Sequence, residues 1–476
     1  MTSPTAFDAT ARAALDHALD YVRAWVEYRA WRLRVPGVQY AVWYDGGLRL
    51  SGAVGFADVE AGVALTPAHR FRIASHSKTF TATAVLQLAE RGALRLDDTV
   101  ATFVPELADA PSGIGEVTVR ELLEHGGGVL RDGLDGDYWQ HARPFPDEDE
   151  LLAMVRADGV KTDRNAAFNY SNLGYSLLGM IVARASGTDY RSYVTAHIIR
   201  PLGLDGTQPD LDPDADYAVG YSGLHVAPAR VPIPHVDTHA MSSATGFAST
   251  AEDIVRYLAA HRIGSGELLD DGSKRLQQRM LWESEPGSGR GYGLGMIIER
   301  VAGRRVIGHS GGYPGHITRT LLDPADGIAV SVLTNAIDGP AHELSNGILT
   351  ILDAALETPG HRTAAAPNPL PGDTSSFEGR FAAPWGVLDV VRLGDRLLAV
   401  SPVGPEPLAG KDELEVVDDD TLRIASGDGF GSIGELVHYT RDAAGETVRV
   451  RGSGGMTMWA FDPARAEGEV PWGTLG

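Results

Sequence analysis

The sequence predicts a large domain of mixed helices and strands, α+β or α/β, followed by a small closed all-β barrel. Three observations predict it. Segments that read as strands stand at both ends of the first 357 residues with helical segments between them, so one sheet would be sewn together from both ends. Residues 358–374 (TPGHRTAAAPNPLPGDT) are rich in Pro and Ala, lack periodicity and read as a linker. Residues 375–476 then carry short apolar runs separated by turn signals at regular spacing, which suggests an antiparallel barrel.

The first domain, 1–357, opens with a helix over 5–34, because Ala14, Leu15, Ala18, Leu19, Val22, Trp25 and Val26 recur at helical spacing. Val38, Tyr40, Val42 and Tyr44 alternate up to the turn signal Asp45-Gly46-Gly47, and Leu48, Leu50 and Val54 resume beyond it, which reads as a hairpin. Residues 75–91 form a helical face closed by Gly92, and a second helix runs over 171–186 to Gly187. Strands return at Arg305–His309, Ile317–Leu322 and Ile328–Thr334, and a helix follows over 341–356. In the barrel region the strands expected are Val387–Val391, Leu397–Val400, Leu414–Val417, Thr421–Ile424, Glu435–Tyr439, Thr447–Val450 and Thr457–Phe461.

Composition narrows the function. The 41 Lys and Arg against 63 Asp and Glu leave a formal net charge of −22. An acidic surface repels phosphate backbones and anionic lipids, so neither nucleic acid nor membrane is an expected partner. Cysteine is absent, which excludes a disulfide framework, thiol catalysis and Cys-ligated zinc. The start lacks a basic n-region and an unbroken apolar h-region, so a cytoplasmic location is expected. His235 and His239 are four apart, but Pro234 precedes them and no acidic third ligand stands out, so no metal site is expected.

Three clusters could carry chemistry. Ser75 and Lys78 are three apart in the first turn of a helix, where hydroxyl and amine share a face. A buried lysine with a lowered pKa can serve as the base that a serine nucleophile needs. Tyr170 and Asn172 are two apart, so an extended or turning backbone projects both the same way, a phenol to shuttle a proton and an amide to hold Lys78 or a substrate carbonyl. His309-Ser310-Gly311-Gly312 ends a strand, and glycine there lets a backbone N–H approach a ligand closely.

These elements, in this order, resemble the serine β-lactamase and penicillin-binding protein superfamily, more specifically its class C, esterase and D-aminopeptidase-like branch. The S-x-x-K and Y-x-N elements are Ser75/Lys78 and Tyr170/Asn172, and His309-Ser310-Gly311 stands where K-[ST]-G is usual. Leu94–Asp98, Pro201–Leu204, Gly246–Thr250 and Tyr292–Gly295 fit the same branch. The resemblance implies an antiparallel sheet with a helical subdomain. It implies Ser75 as the acylated nucleophile, Lys78 as general base, Tyr170 as proton donor to the leaving group and Asn172 as the group that orients Lys78 and binds the substrate amide. The N–H groups of Ser75 and Gly312 would form the oxyanion hole, with Ser310 and Gly311 beside the substrate. His309 would replace the cationic lysine of the third motif and clamp a carboxylate less strongly, which implies esterase, D-peptidase or amidase activity over antibiotic hydrolysis.

Leu122-Leu123-Glu124-His125-Gly126-Gly127-Gly128 departs from the usual His-[TS]-S-G, and its glycines suggest a flexible wall of the site. His125 is either a substrate-binding group or a packed loop residue. Tyr138 and Trp139, in the turn-rich run 132–146, are candidate substrate-binding groups on a lid. Phe377–Phe381 and Glu435…Met456-Thr457-Met458 look like the lipocalin-like barrel appended to members of this branch. The function implied is a serine hydrolase acting through an acyl-enzyme on amide, peptide or ester bonds, D-configured peptides favoured. No cofactor is implied, and the partner is a small peptide or ester. One alternative is similarity to the penicillin-binding-protein-type thioesterases, which macrocyclise a nonribosomal peptidyl thioester. A peptidyl carrier protein would then be a partner, and Arg29, Arg32 and Arg34 are candidates for a basic patch. The other alternative is a non-catalytic binder or sensor.

Overall fold

A computed structural model describes residues 7–225, 227–284, 287–357, 370, 373–427, 432–452 and 455–465. Its contacts divide the chain into two compact units, one made of Val35–Ser345 and the other of Ala6–Arg34 with Asn346–Gly476.

The first unit is built on a nine-stranded antiparallel sheet. The beginning of the chain supplies β1 (Gly37–Tyr44), β2 (Gly47–Asp58) and β3 (Val63–Ala64). The end of the unit supplies β4 (Trp282–Glu283), β5 (Gly291–Tyr292), β6 (Ile297–Val301), β7 (Arg304–Tyr313), β8 (His316–Asp323) and β9 (Ile328–Thr334). Their order is β3-β2-β1-β9-β8-β7-β6-β5-β4. The two ends are joined where β1 lies against β9, with Val38 opposite Thr334 and Val42 opposite Val330. Continuous apolar β-branched sequence suits this position, because β9 (IAVSVLT) is buried at every residue. The β1–β2 turn holds Asp45 at φ 50° and Gly46 at φ 69°, the left-handed pair that a two-residue hairpin requires.

Helix α1 (Ala9–Arg32) opens the described chain, and Asp8 caps it by accepting from the Ala11 N–H at 2.8 Å. Helices α2 (Ser77–Glu90) and α3 (Asn172–Ser186) form the interior of the helical subdomain, and α4 (Ala251–Ala259) packs on β1, β8 and β9. Gly92 and Gly187, at φ 71° and 70°, stop α2 and α3 where the sequence places the stops. Helix α5 spans Ala341–Leu356.

The second unit contains a closed antiparallel barrel: β10 (Gly379–Ala383), β11 (Gly386–Leu393), β12 (Arg396–Val400), β13 (Asp412–Asp418), β14 (Thr421–Gly427), β15 (Leu436–Arg441), β16 (Thr447–Gly452) and β17 (Met456–Ala460). Seven of these were expected from sequence. The eighth, β10, closes the barrel by pairing with both β11 and β17. Phe381, Val390, Leu397, Leu414, Leu422, Ile424, Tyr439 and Val450 fill the interior. Each fully buried side chain of this size stabilises the barrel by roughly 1.5–3 kcal/mol.

The sequence places helix 5–34 with the first domain, whereas by packing α1 groups with the barrel. The reason is local packing. The Trp25 ring lies where a Cβ on Gly347 would meet it at 2.2 Å, and Arg380 of β10 stacks on Tyr28 at 4.4 Å and donates to Ala24 O at 3.2 Å. Arg29, a candidate for a basic patch, is 3% exposed and donates to the Val403 carbonyl. The expected linker lies outside the described residues except Leu370, Asp373 and Thr374. Among the described residues no helix is long and apolar enough to cross a membrane.

Candidate active site

The chain enters the site from the short strand Phe71–Arg72, turns through Ala74 at φ 47°, and starts a 3-10 segment Ala74–His76 that continues into α2. A left-handed alanine costs roughly 1–2 kcal/mol, a strain that tight turns at functional sites tolerate. The turn leaves Ser75 partly exposed while every neighbour from Phe71 to Phe80 is buried.

Lys78, in the first turn of α2, is fully buried. Its Nζ lies 3.2 Å from Ser75 Oγ, 2.6 Å from Asn172 Oδ1 and 2.8 Å from Ala244 O. All three acceptors are neutral. Burial therefore pulls the Lys78 ammonium well below the usual lysine range, while Asp132 pulls the other way and Arg131 adds to the lowering. Ala244 is brought there by backbone pinning: Ser77 Oγ accepts from the Phe247 N–H at 3.0 Å and Thr81 Oγ1 donates to Ser243 O at 2.6 Å.

Ser171 caps α3, accepting from the Gly174 N–H at 2.8 Å, and so holds Tyr170 and Asn172 on either side of the cap. The Tyr170 ring lies 4.8 Å from Lys78 Nζ. Burial pushes its phenol up, against a hydrogen bond with Ser75 that lowers it. The phenol thus stays protonated where the lysine readily loses its proton.

Strand β7 runs through His309-Ser310-Gly311-Gly312 to Tyr313 and does not end at the glycines. Gly311 is needed for close approach, because a Cβ there would sit 2.1 Å from Ile73 O. Beyond Gly308, β7 has no β6 residue opposite it, and this free edge borders the 3-10 segment of Ser75. Gly312 is exposed on it, Ser310 is partly exposed and Gly311 is buried.

His309 is 2% exposed. Its Nδ1 lies 2.7 Å from Ser310 O and its Nε2 lies 3.0 Å from Tyr292 OH, so Nδ1 carries the hydrogen and Nε2 accepts. Burial first, then His76 and Lys78, drive its pKa well below the ordinary value. The imidazole is neutral and both nitrogens are engaged inside the protein. His76 beneath it bridges Ile73 O at 2.9 Å and Thr320 Oγ1 at 3.1 Å, and burial lowers it to about 3.

Other expected binding groups fall elsewhere. Tyr138 is 0% exposed, packed against Phe145 and Met241, and its OH donates to Asp132 O at 2.8 Å, so it faces the loop core and not a substrate. Trp139 is partly buried and donates to Asp132 Oδ1 at 2.9 Å. His125 is buried among Tyr170, Tyr175 and Tyr292, with ring centroids 4.4, 5.0 and 4.8 Å away, and its Nδ1 accepts from the Ser171 N–H at 3.1 Å. It is a packed residue supporting the Tyr170–Asn172 turn. Gly126, Gly127 and Gly128 are buried, and Cβ atoms on Gly127 and Gly128 would collide with Val117 at 2.7 Å and Thr162 O at 2.2 Å. They permit close packing and do not form a flexible wall. His235 lies 3.1 Å from Ala218 O, whereas His239 pairs with Asp237, and no metal-ligating group of three occurs among the described residues.

The Ala244 carbonyl and Asp132 join the site without a sequence signal, and Tyr292, within a run that fits the family, joins it as the partner of His309. A backbone carbonyl has no side-chain signature. Asp132 stands in a turn-rich run with other aspartates, and nothing in the spacing separates it from them.

A serine, a buried lysine, a tyrosine and an asparagine converging at the edge of an antiparallel sheet define a class, the serine hydrolases of β-lactamase fold. The chain belongs to the Beta-lactamase family, whose match covers residues 15–355. It is 31% identical over 398 residues to the esterase EstB of Burkholderia gladioli, covering 73% of this chain and 96% of EstB. Solved structures of SurE (25% identity, TM-score 0.61, 95% of this chain and 100% of SurE) and of the D-amino acid amidase of Ochrobactrum anthropi SV3 with D-phenylalanine (25%, 0.60, 71% and 99%) are similar. Against Protein flp of Staphylococcus aureus strain MW2 the chain spans 61% of that relative's length.

Proposed function

We propose that the chain is an acyl-transferring serine hydrolase that cleaves ester and amide bonds of D-configured residues. One observation carries the reading: the buried Lys78 Nζ lies 3.2 Å from Ser75 Oγ among neutral acceptors, with the Tyr170 ring 4.8 Å from the same amine. Burial favours the neutral amine and the protonated phenol, which fits the roles of base and acid. Lys78 takes the Ser75 proton as Oγ attacks the carbonyl carbon. Tyr170 gives its phenol proton to the leaving group as the bond to carbon breaks, and the Lys78 ammonium returns a proton to the phenolate. The N–H groups of Ser75 and Gly312 receive the oxyanion on the free edge of β7. Deacylation runs the relay in reverse with water.

The substrate preference rests on the amidase and esterase relatives and on His309. A neutral, doubly engaged imidazole offers no fixed cation to a carboxylate, which favours substrates without one at that position. A second reading is transfer of the acyl group from a carrier thioester to the substrate's own amine, which exclusion of water from the site would favour.

A fluorophosphonate probe should label the protein and fail on Ser75→Ala; equal labelling of both rejects the nucleophile. Mass spectrometry of products from D- and L-configured esters, amides and thioesters then separates the readings. Hydrolysed D-product supports the first and cyclised product the second.

A further inference from the structure

We propose that Asp132 is a positioning residue that fixes the orientation of the Asn172 amide and so aims its oxygen at Lys78. The inference rests on the reading of Lys78 as the base for Ser75. Asn172 Nδ2 donates to Asp132 Oδ1 at 2.7 Å while its Oδ1 accepts from Lys78 Nζ at 2.6 Å. An amide between two partners is otherwise free to flip. Asp132 can only accept, so it takes the N–H side of the amide and leaves the oxygen to Lys78 whether that amine is charged or neutral. The opposite orientation would set a carbonyl against a carboxylate.

Asp132 is itself immobilised. Trp139 Nε1 donates to the same Oδ1 at 2.9 Å, Tyr138 OH donates to its backbone carbonyl at 2.8 Å, and Arg131 Nε meets Oδ2 at 3.1 Å. The backbone closes the unit, since the N–H groups of Asn172 and Leu173 donate to Arg131 O at 2.9 and 3.1 Å. Segment 131–139 and the start of α3 are thereby one hydrogen-bonded body, with the carboxylate at its centre. The carboxylate also acts through space, because its negative charge opposes the loss of the Lys78 proton.

The test is the pH profile of acylation, followed with a fluorophosphonate probe and an activated ester. In Asp132→Asn the amide can flip and the charge is gone. Acylation should fall roughly tenfold and its acid limb should move down by roughly 0.5–1 pH unit, as loss of a nearby opposite charge requires. Asp132→Glu should return the limb to the wild-type position while recovering only part of the rate. If Asp132→Asn does not fold, Asp132→Ser, smaller and neutral, carries the same test. Rate and limb both unchanged, or a lower rate with the limb unmoved, would overturn the positioning role. Lys78→Met separates this failure from failure of the catalytic reading: wild-type acylation in Lys78→Met rejects the base itself, whereas its loss beside an indifferent Asp132→Asn rejects Asp132 alone.

Discussion

Lys78 in the first unit and Arg380 in the second are both withdrawn from solvent, at 0% and 11% side-chain exposure, but their surroundings differ in kind. Arg380 meets Asp389 through two parallel hydrogen bonds of 2.7 and 2.8 Å across the β10–β11 pair and lies over Tyr28. Lys78 meets only neutral oxygens. A matched ion pair suits a position whose task is to hold elements together. An unmatched amine keeps a proton poorly, which suits a base. The difference teaches that the first unit carries an unfavourable electrostatic arrangement at the place where chemistry is expected, whereas the second resolves its buried charge.

The largest effects should come from exchanging those roles. Arg380→Met leaves Asp389 buried and unpaired, and should cost about 3–5 kcal/mol of stability, read by denaturant unfolding. Lys78→Met should do the reverse, lowering acylation at least ~10²-fold while the unfolding midpoint falls far less. Equal loss of stability in the two variants would erase the contrast.

The second contrast concerns histidine. Burial lowers His76 to about 3 and His235, His261 and His342 to about 4, all in the first unit. In the second unit His17 and His438 are exposed. An unfolded histidine takes its proton near ~6.5. Between that value and the folded ones the unfolded chain binds more protons, so stability should be level above about pH 6.5 and fall as pH drops toward 4. Hydrogen exchange against pH should show the first unit opening before the barrel. A barrel that opens first would break the comparison.

The sequence made legible what spacing encodes. Three residues on a helix put Lys78 under Ser75, and a cap residue between Tyr170 and Asn172 put both at the start of α3. Hidden features lacked a local pattern. The link between α1 and the barrel joins residues more than three hundred and fifty positions apart, as His17 and Glu378 do at 3.2 Å. Strand β10 (GRFAA) is too short and too mixed to show alternation, and only its pairing on both edges reveals it. The left-handed Ala74 is a consequence of the fold, since alanine itself gives no reason to expect it.

The smallest expected effect tests what His309 does. Tyr292→Phe removes the donor to Nε2 and leaves a buried acceptor unpaired, a cost of roughly 1–3 kcal/mol in stability. Burial still keeps the imidazole neutral, so no carboxylate clamp appears. Selectivity between an ester with a free carboxylate beside the scissile bond and its methylated counterpart should therefore stay within about twofold of wild type. A strong gain for the anionic ester, growing as pH falls, would show that the tyrosine holds back a chargeable clamp. The third motif would then resemble its lysine-bearing form in function, with a buried imidazole able to take the charge that the Lys78 site refuses.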